Sequence, residues 1–285
     1  MTIAVIYIAR GHGAGLTAGN VFFCGYRSNP PGCAHRLVVV TKGWTGVPGL
    51  TDMNQLAVSS GADIVCLPDD GFDWGAYMRI ARSLSDTWIC LLNSHSYPIV
   101  SGWLEKLKTC ANQQRVGACG ATGSWGTWYF RYPYFDPSLS ALVQYPIRVA
   151  KTAIGHFHRR GEIIPFPNPH LRSNALFINR QLFLDFCAEH IIPKSKSDAH
   201  ILESGKCGLS SYLISIGLNI QVVGANGVAY EPSDWITSQT FRVPDQPNLL
   251  ISDNQTSAYL MANWEQKRRL EYASWGKVFT QKSHN

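Results

Sequence analysis

The fold is decided by residues 67–107, LPDDGFDWGAYMRIARSLSDTWICLLNSHSYPIVSGWLEKL. Pro68, Asp69, Asp70 and Gly71 form a turn, with Gly free to take the left-handed conformation. A helix is expected over about 73–84. The apolar run 89–92 is short and continuous, as in a buried strand. It stops abruptly at Asn93, Ser94, His95 and Ser96. Pro98 follows, then a second helix over about 101–111 with Trp103, Leu104 and Leu107 on one side. Turn, helix, strand and helix in this order build an α/β sheet, and open sheets of that kind keep their chemistry at the carboxyl ends of strands. The polar cluster 93–96 stands at such an end.

Working outward, residues 3–9 read as a first buried strand. The Gly-rich turn GHGAGLTAGN leads from it into a helix carrying Val21, Phe22, Phe23 and Tyr26. A second strand is expected over 37–41, a short helix over about 53–60 and a third strand over 64–67. Downstream, 116–120 is a short strand. Residues 121–170 are rich in aromatics, Pro, Gly and basic side chains and read as an irregular insertion with one helix near 139–155. HLRSNALFINRQLFLDF reads as a strand running into a helix. Leu209, Tyr212, Leu213 and Ile216 follow at helical spacing, Gly217 stops that helix, and 220–223 is a terminal strand. The tail SDNQTSAYLMANWEQKRRLEYASWG reads as one final amphipathic helix, with Asp253 and Asn254 at its cap. Repeats and clean linkers are absent, so the 285 residues are expected to form a single domain.

A hydrophobic fraction of 45% with only 15% charged residues argues for a packed core. Nine Trp and twelve Tyr suit flat or amphipathic ligands, although core packing is the expected role of any single one. The net charge of +6 suits phosphate-bearing ligands or an anionic membrane surface. Nucleic acid is disfavoured, because the basic residues are scattered and no recognition motif occurs. The eight Cys are dispersed, and several, Cys66, Cys90 and Cys119, lie in apolar runs; they read as reduced, buried thiols of a cytoplasmic protein. The opening MTIAVIYIAR has strand composition rather than that of a leader. ARGHGAGLTAG lacks Gly-Lys-Ser/Thr, which argues against a P-loop.

In this order and spacing, the pieces resemble a glycosyltransferase of the GT-A fold, nearest the family 2 type. The 67–107 stretch has that family's layout of Gly turn, nucleotide-side helix, strand, Asp-x-Asp position, Pro and Trp-Leu helix. VGACGATGS resembles the next strand, HLRSNALFINRQLF the acceptor-side strand and helix start, and ESGKCGLSSYLISIGLNIQVVG the acidic-residue helix and last strand. The likeness covers roughly 60–225, with weaker support over 1–45. It implies a Rossmann-like, mostly parallel sheet covered by helices, with an irregular aromatic and basic insertion and a C-terminal helical extension. It further implies a nucleotide-sugar-binding half over 1–120, an acceptor-binding half over 121–230 and an extension over 231–285. The sequence departs from the family where the second strand ends in Thr41-Lys42-Gly43, where Asp-x-Asp reads Asn93-Ser94-His95, and where the usual Glu-Asp pair reads Glu203-Ser204.

Glycosyl transfer requires a neutralised diphosphate, a base for the acceptor hydroxyl and alignment of both with the sugar. The resemblance implies a nucleotide-sugar donor, a saccharide or lipid-linked acceptor, Mn2+ or Mg2+ at the diphosphate, and inversion with Glu203 as base; Asp198 is the runner-up. Arg10, Lys42, Asp73, Asn93, His95 and Arg242 fall on the donor side. Trp125, Arg172 and Asn174 fall on the acceptor side. Asn93 and His95, two apart at a strand end, are expected to face the same way. Three readings of them stand together: a metal site with His95 as ligand, a metal-independent diphosphate contact, or a structural polar cap. Asp73, beside Asp69 and Asp70, stands equally as a helix N-cap or as a contact to the ribose or base. Arg172 and Asn174 fit internal hydrogen bonding as well as acceptor contact, His170 is a loop residue, and Arg242 is a surface residue or a phosphate lid. HFHRRG, 156–161, is either a solvated loop or a peripheral membrane contact. Two other functions stand beside the transferase: a catalytically silent nucleotide- or glycan-binding protein on the same scaffold, and a nucleotidyltransferase-like enzyme.

Overall fold

Ile3–Arg10 form strand β1, and seven of its eight residues are buried. A strand covered on both faces belongs in the middle of a sheet, and β1 sits there. The computed structural model of the protein describes residues 2–127 and 161–279. Further strands are β2 (Arg36–Lys42), β3 (Asp63–Cys66), β4 (Trp88–Leu92), β5 (Tyr97–Pro98), β6 (Val116–Gly120), β7 (Gly123–Ser124) and β8 (His170–Leu171). They continue with β9 (Ala175–Asn179), β10 (Asn219–Val223), β11 (Ala229–Tyr230) and β12 (Ile251–Ser252). Eight of them make one sheet in the order β11-β10-β6-β9-β4-β1-β2-β3. β3, β2, β1 and β4 are mutually parallel. β9 runs antiparallel between β4 and β6, β10 is parallel to β6, and β11 closes the edge antiparallel. The protein is therefore a Rossmann-like α/β fold with a mixed, mostly parallel sheet, as expected. The short strands β5 and β12 pair with each other, as do β7 and β8.

The alternation along each strand divides the core into two layers. Ala4, Ile6 and Ile8 of β1 and Ile89 and Leu91 of β4 face one side, packing on Trp74, Tyr77 and Ile80 of α3 (Phe72–Ser83). The same layer takes Phe183 and Phe186 of α5 (Arg180–Ala188), Leu202 of α6 (Lys196–Ser204), and Leu209 and Leu213 of α7 (Leu209–Ser215). Val5, Tyr7 and Ala9 point the other way with Cys90 and Leu92. They meet Phe22 and Phe23 of α1 (Gly15–Ser28), Met53 of α2 (Leu50–Ser59), and Trp103, Leu104 and Leu107 of α4 (Trp103–Ala111). Tyr7 stacks on Phe22 with centroids 3.7 Å apart.

Several expectations need correction. The tail is two helices, α8 (Asn254–Met261) and α9 (Trp264–Trp275), because Ala262 is extended and Asn263 starts a new capping box with Gln266. Asp73 does not cap α3: Gly71, in the left-handed conformation, holds the cap position, and Asp73 lies in the first turn. Cys66 is exposed at the end of the edge strand β3, as are Cys24 and Cys207; Cys90 and Cys119 are buried. The expected insertion helix near 139–155, and all of HFHRRG but Gly161, lie outside the described residues. No described helix is long and apolar enough to cross a membrane.

Candidate active site

The strands β3, β1 and β4 deliver three loops to one edge of the sheet. After β1, the Gly11 amide donates to Lys42 O at 2.9 Å and the His12 amide to Gly43 O at 3.0 Å, so the chain follows β2 before turning into α1. Gly13 and Gly15 take φ of 79° and 63°, which a side chain would resist.

After β3 the acidic turn is tied down by three cations. Arg10 meets Asp69 through Nε at 3.0 Å and Nη2 at 3.2 Å. Arg79 meets Asp70 at 2.6 and 2.7 Å. The Lys42 side chain is wholly buried beneath the turn, with Nζ donating to Asp70 O at 2.9 Å and Phe72 O at 2.7 Å and lying 3.5 Å from Asp69. Burial lowers the Lys42 pKa, against the pull of Asp69 and Asp73. Burial pushes Asp69 upward, but the Arg10 and Lys42 charges outweigh it and hold the carboxyl below its ordinary value. Asp73 shows the opposite result: burial raises it, Glu203 adds to the rise, and Lys42, Arg10 and His95 only oppose it. Phe72 has φ of 54°, a strained value for an aromatic residue, and its ring is partly exposed.

After β4 the chain turns back at once. The Ser96 amide donates to Asn93 O at 3.1 Å. Asn93 Oδ1 accepts the His95 amide at 2.9 Å and lies 3.0 Å from Ser96 Oγ. Tyr7 supports the loop from beneath by donating its hydroxyl to Ser94 O at 3.0 Å. β4 has ended at Leu92, so the two-residue strand rule does not govern Asn93 and His95. The Asn93 oxygen is committed to its own turn.

The opposite wall is α6. Lys196, Ala199, His200 and Glu203 fall at i, i+3, i+4 and i+7 and line one cleft with Arg10, Asp73, Asn93 and His95. The cleft is about 290 Å³. One Glu203 oxygen accepts the Ser173 amide at 2.7 Å. Asp198 is occupied as the partner of Ser195 in the α6 capping box.

The floor is a buried relay. Arg172 donates to Asp253 at 2.7 Å and to Thr122 Oγ1 at 3.1 Å, and Thr122 donates to Asn174 Oδ1 at 2.6 Å. Its guanidinium also lies 4.2 Å from the Phe241 ring centroid. Burial pushes Asp253 up, but Arg172 and the Thr256 amide win and hold it below its ordinary value.

The structure thus brings Arg10, Asp73, Asn93, His95, Arg172 and Glu203 to one cleft. Lys42 lies beneath its wall and Asn174 beneath its floor. Arg242 stands behind Gln255, a cleft residue, donating to its Oε1 at 2.9 Å and to Ser274 Oγ at 2.9 Å. Trp125 donates to Pro232 O at 2.9 Å and packs edge-on against Trp275 of α9. His170, expected in a loop, lies in β8 and donates from Nδ1 to Asn168 O at 2.8 Å. His12, Phe72, Lys196 and His200 also line the cleft without a signal picked out of the sequence above; for Lys196 and His200 the available signal is their spacing with Ala199 and Glu203.

The donor set does not fit a divalent cation. No group of three His, Cys, Asp or Glu side chains is placed to hold one among the described residues. Asp69 and Asp70 are already paired with arginines, and Asn93 offers an oxygen engaged elsewhere.

No family model matches the chain, and no curated protein matches it. Among solved structures, it is similar to a mannosyltransferase from Pyrobaculum calidifontis in complex with GDP-Man and Mn2+. That match has 9% identity and a TM-score of 0.48, covering 84% of this chain and 59% of that one. A glucosyl-3-phosphoglycerate synthase from Mycobacterium tuberculosis, in complex with Mn2+, UDP-glucose and glycerol 3-phosphate, matches at 15% identity and a TM-score of 0.36, covering 63% and 57%. A CMP:2-keto-3-deoxy-manno-octonic acid synthetase complexed with CTP matches at 12% identity and a TM-score of 0.42, covering 77% and 88%. The chain therefore spans under two thirds of the first two.

Proposed function

We propose that the protein is a GT-A-type glycosyltransferase that moves a sugar from a nucleotide-sugar donor to a saccharide or lipid-linked acceptor. The observation that carries this reading is a cleft at the strand ends, whose lining brings Arg10, Asp73 and the 93–95 turn together with Glu203. That is where an open α/β sheet binds a nucleotide, and a carboxylate opposite it can serve as base. In this reading Glu203, steadied through one oxygen by the Ser173 amide, takes the acceptor proton on the other. The acceptor oxygen then bonds to the anomeric carbon from the face opposite the leaving group. The bond from that carbon to the diphosphate breaks, and the nucleoside diphosphate departs with the electron pair. Inversion follows from this single displacement. Asp73 sits on the ribose side, and Arg10 orients the phosphates from its Asp69 clamp.

The test is release of nucleoside diphosphate from UDP-, GDP- and dTDP-sugars, and of CMP from a CMP-sugar. Glu203→Gln should cut turnover at least 100-fold while leaving donor binding within a few-fold, since a positioned base contributes roughly 10²–10⁴-fold. Equal turnover in Glu203→Gln would remove Glu203 as base. No release from any donor would favour the silent binding protein.

A further inference from the structure

The cleft contains an anion-binding arrangement that the acidic residues do not supply. α1 is 14 residues long, its Ala14 cap position makes no side-chain cap bond, and its first turn has no acid. The amides of such a helix start point outward with a partial positive charge. His12, Gly13 and Ala14 carry that start into the cleft. A Cβ at Gly13 or Gly15 would meet nothing within 4 Å, so the approach to the helix end is open.

A second observation points to a ligand independently. Ser94 is 5% exposed, its Oγ has no hydrogen-bond partner, and it lines the same cleft. A buried hydroxyl without a partner costs about 1–3 kcal/mol unless something arrives to satisfy it. Lys196 projects from the first turn of α6 on the opposite wall. The charged and titratable groups facing this space are Arg10, His12, His95, Arg172, Lys196 and His200 against Asp73 and Glu203. Basic and donor groups outnumber the two carboxylates here, and Asp69, Asp70 and the Asn93 oxygen are already engaged.

We propose that the cleft grips the donor's diphosphate directly, without a bridging cation, between the start of α1, the Ser94 hydroxyl and the side chains of His12 and Lys196. This rests on the nucleotide-sugar reading for the identity of the donor, but not for the binding of the anion. Helix amides, a hydroxyl and basic side chains together replace the charge that a metal would bring to the leaving group. Breaking of the sugar–phosphate bond then leaves its electron pair on an oxygen facing these donors.

The probe is inorganic pyrophosphate, titrated calorimetrically into the full chain in EDTA and again in Mn2+. Binding should be present in EDTA and no tighter in Mn2+, which ties up part of the free pyrophosphate in solution. Ala14→Asp puts a carboxylate on the helix start; it supplies a cap, so the fold is retained, and should weaken pyrophosphate binding roughly tenfold or more by repulsion. Lys196→Gln and Ser94→Ala should each weaken it a few-fold. Binding that appears only with Mn2+, or that ignores Ala14→Asp in a folded protein, overturns the proposal. Pyrophosphate bound in EDTA with no turnover of any nucleotide sugar keeps the anion cradle and removes the transferase. Turnover that requires Mn2+ keeps the transferase and removes the cradle.

Discussion

Two turns flank the end of β1, one after β3 and one after β4, and they are built in opposite ways. Residues 69–72 carry two carboxylates, braced from beneath by a buried ammonium and from the sides by two guanidinium groups. Residues 93–96 carry no carboxylate, and they are braced by a phenol hydroxyl and by their own amides. The acidic turn looks functional in the sequence, yet its charges are spent on holding its shape. The neutral turn looks depleted, yet Ser94, which lines the cleft, keeps a buried hydroxyl without a partner. Charge in a sequence marks where electrostatic work is done, not where a ligand binds.

The largest effect is expected on the charged brace. Lys42→Met leaves two carbonyls without their donor and Asp69 without one of its cations. It should cost about 3 kcal/mol in urea denaturation. A loss below about 1 kcal/mol would mean that the arginines alone hold the turn. The neutral brace should matter less: Tyr7→Phe removes one hydrogen bond to Ser94 O and should cost about 1 kcal/mol.

Acid tests the charged turn. The folded Asp69 carboxyl is held below 3.8, its ordinary value. Its contribution to stability is present above that value and is lost as pH falls through the lower folded one. An NMR titration from pH 6 down to about 2.5 should therefore move the amide signals of 69–72 before global unfolding. Movement of 69–72 only at global unfolding would remove Asp69 from the pH dependence. The smallest effect is expected at Phe72. Phe72→Gly relieves a strained φ and loses ring contacts, so the melting free energy should change by less than about 1 kcal/mol in either direction.

The central fold was legible because β1, β2, β4 and α3 are written in strong periodicities that nothing overrides. The break in the tail was not, because Asn263 and Gln266 act through a capping box hidden inside an amphipathic pattern. The antiparallel entry of β9 between β4 and β6 was also invisible, since a buried strand has the same composition in either direction. At the site, Glu203 and Asp73 could be placed in the cleft from order and spacing, and the other residues of the α6 face were legible in principle from helical period. The engagement of Asn93, the burial of Lys42 and the pairing of Arg172 with Asp253 depend on contacts across the fold, so no local pattern reports them.

The Arg172–Asp253 pair spans 81 residues of chain, and both partners are buried. During synthesis the guanidinium emerges long before its carboxylate, as do Arg10 and the first loop of the cleft. Until Asp253 leaves the ribosome, that cation has no counter-charge and favours solvent over the floor it will occupy. Asn254 and Gln255, the last cleft residues in chain order, follow immediately behind it. The chain thus completes the lining of its cleft as it neutralises its floor, shortly after β11, the last strand of the main sheet, has been made.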